Sequence, residues 1–377
     1  MQQPLIMTPG PTYIHEEVRN ALSQSITNPD LDPKFYTFYK ETCETIQELF
    51  NTKNEVLILS GEAILGLEAA CASLIEPGDK VLCIDNGIFG NGFGDFAKMY
   101  GAEVVYFQSD YRSAVDVEKL EEFLKDQHDF KIATLVHCET PSGITNPINL
   151  ICPMLKKYNI ITVVDSVSAI GGEPLETDKW QIDILLGGTQ KCLSAPPGLT
   201  LLSISQYAWD KILNRKIPIA GFYCNLSQWK NWYEEKWFPY TQPISDIYGL
   251  KAALDRLLRE ESYLERHKKI AEAVRKSLVY AGLALYPLDG FSNTVTTINI
   301  PKGVTYQQIF DTMLKEHKVM IAGAFGFLKN KVIRIGHMGE NCYEEKLYIT
   351  LKALDKVLRK FDIHLKGELH KLFVSFL

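Results

Sequence analysis

Several features that would settle a function class early are missing from this chain. No stretch of about 18 uninterrupted apolar residues occurs, so nothing reads as a membrane span. The opening Met1-Gln2-Gln3-Pro4 has no basic region ahead of an apolar run and does not read as a secretory leader. Positive charge is not in excess. The net charge of −6 over 377 residues argues against a broad nucleic-acid or anionic-membrane footprint, while leaving room for a local basic pocket. None of the 8 cysteines forms a Cys-x-x-Cys pair, and most lie in apolar runs such as Val81-Leu82-Cys83-Ile84. That is the pattern of buried, reduced thiols in a cytoplasmic protein, with neither a disulfide framework nor a metal site expected. Internal repeats and low-complexity linkers are absent. At 46% hydrophobic and 23% charged residues, disorder, collagen and coiled coil are excluded for the whole chain.

What is present is an alternation of short apolar runs with helical patterns. Strands are expected at Val56–Leu59, Lys80–Ile84, Glu103–Phe107, Ile132–His137, Ile160–Val164, Ile182–Gly187 and, reversed in direction, Leu199–Ser203. Continuous apolar strands separated by helices predict a mainly parallel seven-stranded sheet between helices, an α/β large domain. Ligands collect at the carboxyl ends of such strands, where Ser60, Thr140, Asp165 and Lys191 are found. After Pro243 a long helical segment to about Tyr280 precedes strands at 294–300 and 331–335 and helices at 306–315 and 343–360. The expected division is an N-terminal segment, 1–15, at the active-site entrance, a large domain, 16–262, and a smaller α+β C-terminal domain, 263–377. The final residues, His364 to Leu377, are too apolar for a free tail.

Two stretches carry chemistry. In Val163-Val164-Asp165-Ser166 a carboxylate ends a strand, and in Gly188-Thr189-Gln190-Lys191 a lysine follows the next strand among small residues. Either alone is commonplace, since such an acid often caps a turn and a lone lysine is usually solvated. Together they suit pyridoxal 5'-phosphate: the lysine joins the aldehyde and the acid keeps the pyridine nitrogen protonated. Leu59-Ser60-Gly61-Glu62-Ala63-Ile64 is a strand-to-helix turn whose N–H groups could meet a phosphate; a carboxylate at Glu62 repels one unless its side chain turns outward into the first helical turn, where acids are favoured. Phe89 could stack on a planar ring, and the Thr140 and Ser142 hydroxyls could bond its polar edge; an ordinary core ring and a locally satisfied turn are the rival readings. Arg334, between Ile333 and Ile335, must pair if buried, and a substrate carboxylate is one partner. His337 has no second ligand at metal spacing and reads as structural.

The runs Val164-Asp165-Ser166-Val167-Ser168-Ala169-Ile170-Gly171-Gly172 and Gly188-Thr189-Gln190-Lys191-Cys192-Leu193-Ser194-Ala195-Pro196-Pro197-Gly198 resemble the "VDSVSSLGG" and "GSQKxLxxPPG" motifs of class V, fold-type I aminotransferases. The likeness is to the alanine–glyoxylate, serine–glyoxylate and 2-aminoethylphosphonate–pyruvate group, and extends from Thr8-Pro9-Gly10-Pro11 to Arg334. It implies Lys191 and Asp165 as the catalytic pair. Gly61, Glu62, Ala63, Ile64, Phe89, Thr140 and Gln190 would surround the cofactor, and Thr241 would reach its phosphate from the neighbouring subunit. Pro9 and Gly10 would line the substrate entrance, Arg334 would hold the substrate carboxylate, and the assembly would be a homodimer with shared active sites. Two positions depart from the pattern. The phosphate loop reads Ser-Gly-Glu-Ala-Ile, and Phe238 stands where some relatives carry a phosphate-binding tyrosine.

The activity this implies is ping-pong transfer of an amino group from alanine or serine to glyoxylate or pyruvate. 2-Aminoethylphosphonate with pyruvate is the second reading. A cysteine desulfurase is third, with Cys342 its one late cysteine. A non-catalytic scaffold is disfavoured by retention of Lys191, Asp165 and Arg334 together.

Overall fold

The computed structural model describes residues 3–377, so Met1 and Gln2 of the N-terminal segment lie outside the described residues. The strands, in chain order, are β1 (Leu5–Ile6), β2 (Glu55–Ser60), β3 (Lys80–Asp85), β4 (Glu103–Gln108), β5 (Ile132–Val136), β6 (Cys138–Glu139), β7 (Ile144–Thr145), β8 (Ile161–Asp165), β9 (Ile184–Gly188), β10 (Leu199–Ile204), β11 (Val295–Asn299), β12 (Val319–Met320) and β13 (Val332–Gly336). Seven form the central sheet in the order β2-β10-β9-β8-β5-β3-β4. β10 runs antiparallel to both β2 and β9, and the other pairings are parallel. β5, β8, β9 and β10 are buried along their whole length. That is why they read as unbroken apolar runs rather than alternating ones: helices cover both faces.

The helices of this part are α1 (Glu16–Leu22), α2 (Pro33–Phe50), α3 (Ile64–Leu74), α4 (Ile88–Met99), α5 (Val117–Asp126), α6 (Ile148–Lys157), α7 (Gln206–Leu213), α8 (Trp232–Glu235) and α9 (Ile244–Leu258). Local chemistry sets several boundaries. Asp32 caps α2 through the Lys34 N–H at 2.9 Å with Pro33 in the first turn, and left-handed Asn51 closes it. α3 lies against β10, α4 against β3 and α6 against β8. β2 and the parallel strands therefore deliver their carboxyl ends to one edge.

The expected single helix from 244 to 280 is two helices, α9 and α10 (Tyr263–Tyr280). No glycine or proline marks the break. Arg266 instead fastens the corner, its Nε and Nη2 donating to the two Glu260 carboxylate oxygens at 2.7 and 2.9 Å. The corner is also where the chain passes between two apolar clusters. One holds Leu254 and Leu257; the other holds Ile270, Val274 and Leu278. The second cluster gathers α10, the β11–β13 pair, α11 (Tyr306–His317), α12 (Glu344–Lys360) and α13 (Leu369–Phe376). A full capping box starts α11, with Thr305 and Gln308 satisfying each other's backbone. The C-terminal residues fold back as expected, with Leu369 and Phe373 fully buried. Less expected, β1 pairs in parallel with β12, and Met7 sits within the second cluster. No described helix is long and apolar enough to cross a membrane.

Candidate active site

Lys191 lies three residues beyond the end of β9, on the wall of a cavity of about 320 Å³. Its Nζ donates to the Pro9 carbonyl at 2.5 Å. Thr12 holds the lysine loop from the other side, its hydroxyl donating to the Lys191 carbonyl at 2.9 Å. Gly10 is required for this approach. Its φ is +87°, and a Cβ there would stand 2.5 Å from Lys191 Cδ. Burial, and next the nearby Arg334 charge, lower the proton affinity of the Lys191 amine, against a weaker opposing pull from Asp165. An amine in that state can exchange a proton with a substrate carbon.

Asp165 is the last residue of β8. One carboxylate oxygen accepts from the Val167 N–H at 2.9 Å, and the other has no donor from the described residues. Desolvation pushes the carboxyl up to about 6 despite that bond and the Lys191 charge. Behind it the His137 N–H donates to the Asp165 carbonyl at 2.7 Å, and the His137 ring bonds Ser166 Oγ at 2.9 Å. Burial drops His137 to about 3, so its ring is neutral.

Gly10, Glu62, Ala63, Ile64, Phe89, Thr140, Asp165, Gln190 and Lys191 all line this one cavity. Ser168, missed in the sequence, joins them and bonds the Thr140 hydroxyl. Cys138 also lines it, its thiol pushed up to about 12 by burial. Four expected residues stand apart. Pro9 contributes its carbonyl, and Gly61 lies just behind the turn, its N–H bonded to Gly198 O at 2.8 Å. Arg334 stands behind Thr140, its Nη1 donating to the Thr140 carbonyl at 3.4 Å and its Nε to Gly323 O at 2.7 Å. Only 9% of Arg334 is exposed, and burial lowers it to about 10. Thr241 lies in a different cleft with Asn28, Asp30 and Ser245, so within one chain it does not meet Lys191. Phe238 belongs to the core, stacked on Tyr36 at 4.7 Å.

A second missed residue is Glu139. Its two carboxylate oxygens accept from the Phe89 and Gly90 N–H groups, each at 3.0 Å, and so cap α4 from another part of the chain. Gly87 makes room, because a Cβ there would lie 2.3 Å from Glu139 Cγ. Burial raises the Glu139 carboxyl to about 7. It fixes the start of the helix that carries Phe89, whose ring meets Phe325 edge-on at 5.8 Å. His337 is structural as expected, buried between the Asn293 carbonyl at 2.9 Å and the Thr296 hydroxyl at 2.8 Å.

Comparison with known proteins agrees with this geometry. The family model described as Aminotransferase class-V matches residues 9–326. Pyridoxamine–pyruvate transaminase of Mesorhizobium japonicum is 34% identical over 355 residues, covering 93% of this chain and 90% of that protein. Alanine–glyoxylate aminotransferase of Callithrix jacchus is 32% identical, covering 94% and 87%. The crystal structure of ureidoglycine–glyoxylate aminotransferase from Bacillus subtilis superposes with a TM-score of 0.95 at 32% identity, covering 100% of this chain and 98% of that one. A half-buried lysine and a buried aspartate at the ends of adjacent parallel strands, on this fold and with this kinship, make the chain a member of the class-V aminotransferase family, a transaminase that moves amino groups between amino and oxo acids.

Proposed function

We propose that the chain passes the amino group of a small donor, alanine or serine first, to glyoxylate or pyruvate at the Lys191 cavity. The proposal places it in the cytoplasm as a homodimer in which Thr241 of one subunit serves the site of the other. The observation that carries the substrate class is Arg334. It is a nearly buried cation held by two backbone carbonyls, with no carboxylate in salt-bridge reach among the described residues. Such a charge is costly unless an anion pairs with it, and a small oxo acid supplies one in a form that a guanidinium grips with two prongs. The relatives' names differ in donor but share a small oxo acid as acceptor, which agrees. Cys342 is fully buried with its thiol pushed up to about 12, which gives sulfur chemistry no support. The division at 16–262 and 263–377 follows the two apolar clusters, with the strand from the first segment joining the small domain.

Class-V aminotransferases in general use pyridoxal 5'-phosphate, and the ring end of that group fits here. The unpaired Asp165 oxygen suits a pyridine nitrogen, the Phe89 ring a face, and the Thr140 and Ser168 hydroxyls a polar edge. A vitamin B6 ring bound there supplies the electron sink. Lys191 would remove the proton from the donor's α-carbon and return it to the carbon on the far side of the shared nitrogen, and Asp165 would hold the positive end. Pro9 O holds the amine at the cavity wall. General-base transfer of this kind contributes about 10²–10⁴-fold. The phosphate end does not fit. The Glu62 carboxylate occupies the helix start that would have to receive it.

Supplying a B6 aldehyde and glyoxylate with one donor at a time tests the reading. Glycine formed from alanine or serine is the expected result. Glycine formed only from 2-aminoethylphosphonate would replace it with the second reading, and none from any donor would overturn it.

A further inference from the structure

We propose that the B6 compound this site takes is the unphosphorylated one, so that pyridoxamine and pyridoxal enter and leave as substrates, with Glu62 and Gln190 reading the free hydroxymethyl group. The proposal rests on the transaminase reading of the Lys191 cavity and names one of its substrates.

A helix start is an anion site only while its N–H groups are free. Here those of Ile64, Leu65 and Gly66 are taken, and the two left over, of Glu62 and Ala63, lie beside the Glu62 carboxylate. The Ile64 N–H donates to the Glu62 carboxylate at 3.1 Å. The Leu65 N–H donates to the Glu62 carbonyl at 2.8 Å, and the Gly66 N–H to the Ala63 carbonyl at 3.0 Å. Just upstream, the Gly61 N–H is held by Gly198 O. The Thr200 hydroxyl, bonding both the Gly61 and Glu62 carbonyls at 3.0 and 2.9 Å, pins the turn in that form. The helix start already has its anion, and the anion is its own side chain.

The second observation is Gln190, only 5% exposed. Its Nε2 donates to the other Glu62 oxygen. Its Oε1 is buried with no donor among the described residues. This end of the cavity thus offers acceptors, the Glu62 carboxylate and Gln190 Oε1, and among the described residues Lys191 is the one cation lining the space. A phosphate monoester dianion brings only acceptors and like charge. An alcohol brings an O–H donor, which a carboxylate or amide oxygen accepts. The Glu62 charge is also felt at Asp165, where it raises the carboxyl. A phosphate between them would be repelled from both sides.

The chemistry balances without a further oxidant. The aminomethyl carbon of pyridoxamine gives up its C–N bond and two electrons and becomes the aldehyde of pyridoxal. The oxo-acid carbon gains the amino group and a hydrogen, and the water lost on joining is regained on parting.

The test offers the purified protein equal amounts of pyridoxal and pyridoxal 5'-phosphate, then borohydride, and weighs the Lys191 peptide. The expected result is pyridoxyl over phosphopyridoxyl by at least about tenfold, with Glu62→Ser moving the ratio toward the phosphorylated adduct by a similar factor. Serine keeps a side-chain oxygen one residue ahead of the α3 cap at Ala63, and a thermal melt checks the fold. Glu62→Gln keeps the size, removes the charge and falls between. Phosphopyridoxyl equal to or above pyridoxyl in the wild type would overturn the proposal. A ratio unmoved by Glu62→Ser would overturn the role of Glu62. Absence of any Lys191 adduct with either aldehyde would overturn the transaminase reading itself, which separates the two failures.

Discussion

The two ends of the Lys191 cavity are built on opposite principles. At the ring end, charged groups are largely or wholly buried and left partly unpaired: Lys191 against one carbonyl and Asp165 with one free oxygen, with Arg334 on two carbonyls just behind Thr140. At the other end, the helix start is closed by local bonds around Glu62, a residue exposed at the cavity mouth. Unpaired buried charge is expensive and survives where a ligand completes it. A turn that satisfies most of its own donors, and sets a carboxylate beside the rest, has little to offer an incoming anion. On the proposed reading, one end serves the chemistry and the other the selection.

Breaking the ring end gives the largest effects. Lys191→Ala removes the proton carrier, and transamination should fall by about 10²–10⁴-fold with an unchanged circular dichroism spectrum. An active variant would contradict the comparison outright. Asp165→Asn removes a charged hydrogen bond, and a loss of about 10- to 100-fold in kcat is expected. It also removes a pH limb. Since burial raises Asp165 to about 6, the ionised form that pairs with a ring nitrogen grows as pH rises through 6. Activity should climb there in the wild type and stay flat in the variant. Arg334→Lys keeps the charge but loses the two-pronged grip. The KM for the oxo acid should rise about tenfold, with kcat changed less.

The smallest expected effect lies behind the cavity, at Glu139. Its folded carboxyl is raised from 4.5 to about 7, so between those values the native state binds more protons than the unfolded chain. Stability from this group therefore falls as pH rises from 4.5 to 7. Glu139→Gln should abolish that slope. Melting curves of the two proteins across this window should converge or diverge by no more than about 3 kcal/mol. Parallel curves would show that Glu139 is not the titrating group.

The residues legible in the sequence are those whose meaning is local. Asp165 ends a buried apolar strand, and Lys191 follows the next one among small residues, so strand ends alone bring them together. The reversed strand β10 was legible for the same reason. Glu139 was not, because its partners at Phe89 and Gly90 come from another strand end, and nothing next to it announces a helix cap. The pairing of β1 with β12 joins segments more than 300 residues apart and leaves no periodic trace. The corner between α9 and α10 hides in a run of good helix formers, because a tertiary ion pair and a change of core make it. Glu62 lies between: its conflict with a phosphate was visible in the loop, and the bonds that hold it there were not.

The central claim is that the Lys191 amine moves the donor's α-proton. The most direct measurement is loss of the α-deuterium of L-[2-²H]alanine to water, followed by proton NMR with both B6 aldehydes supplied and no oxo acid added. Exchange by the wild type and none above background by Lys191→Ala is the predicted result. Exchange by Lys191→Ala at the wild-type rate would contradict it.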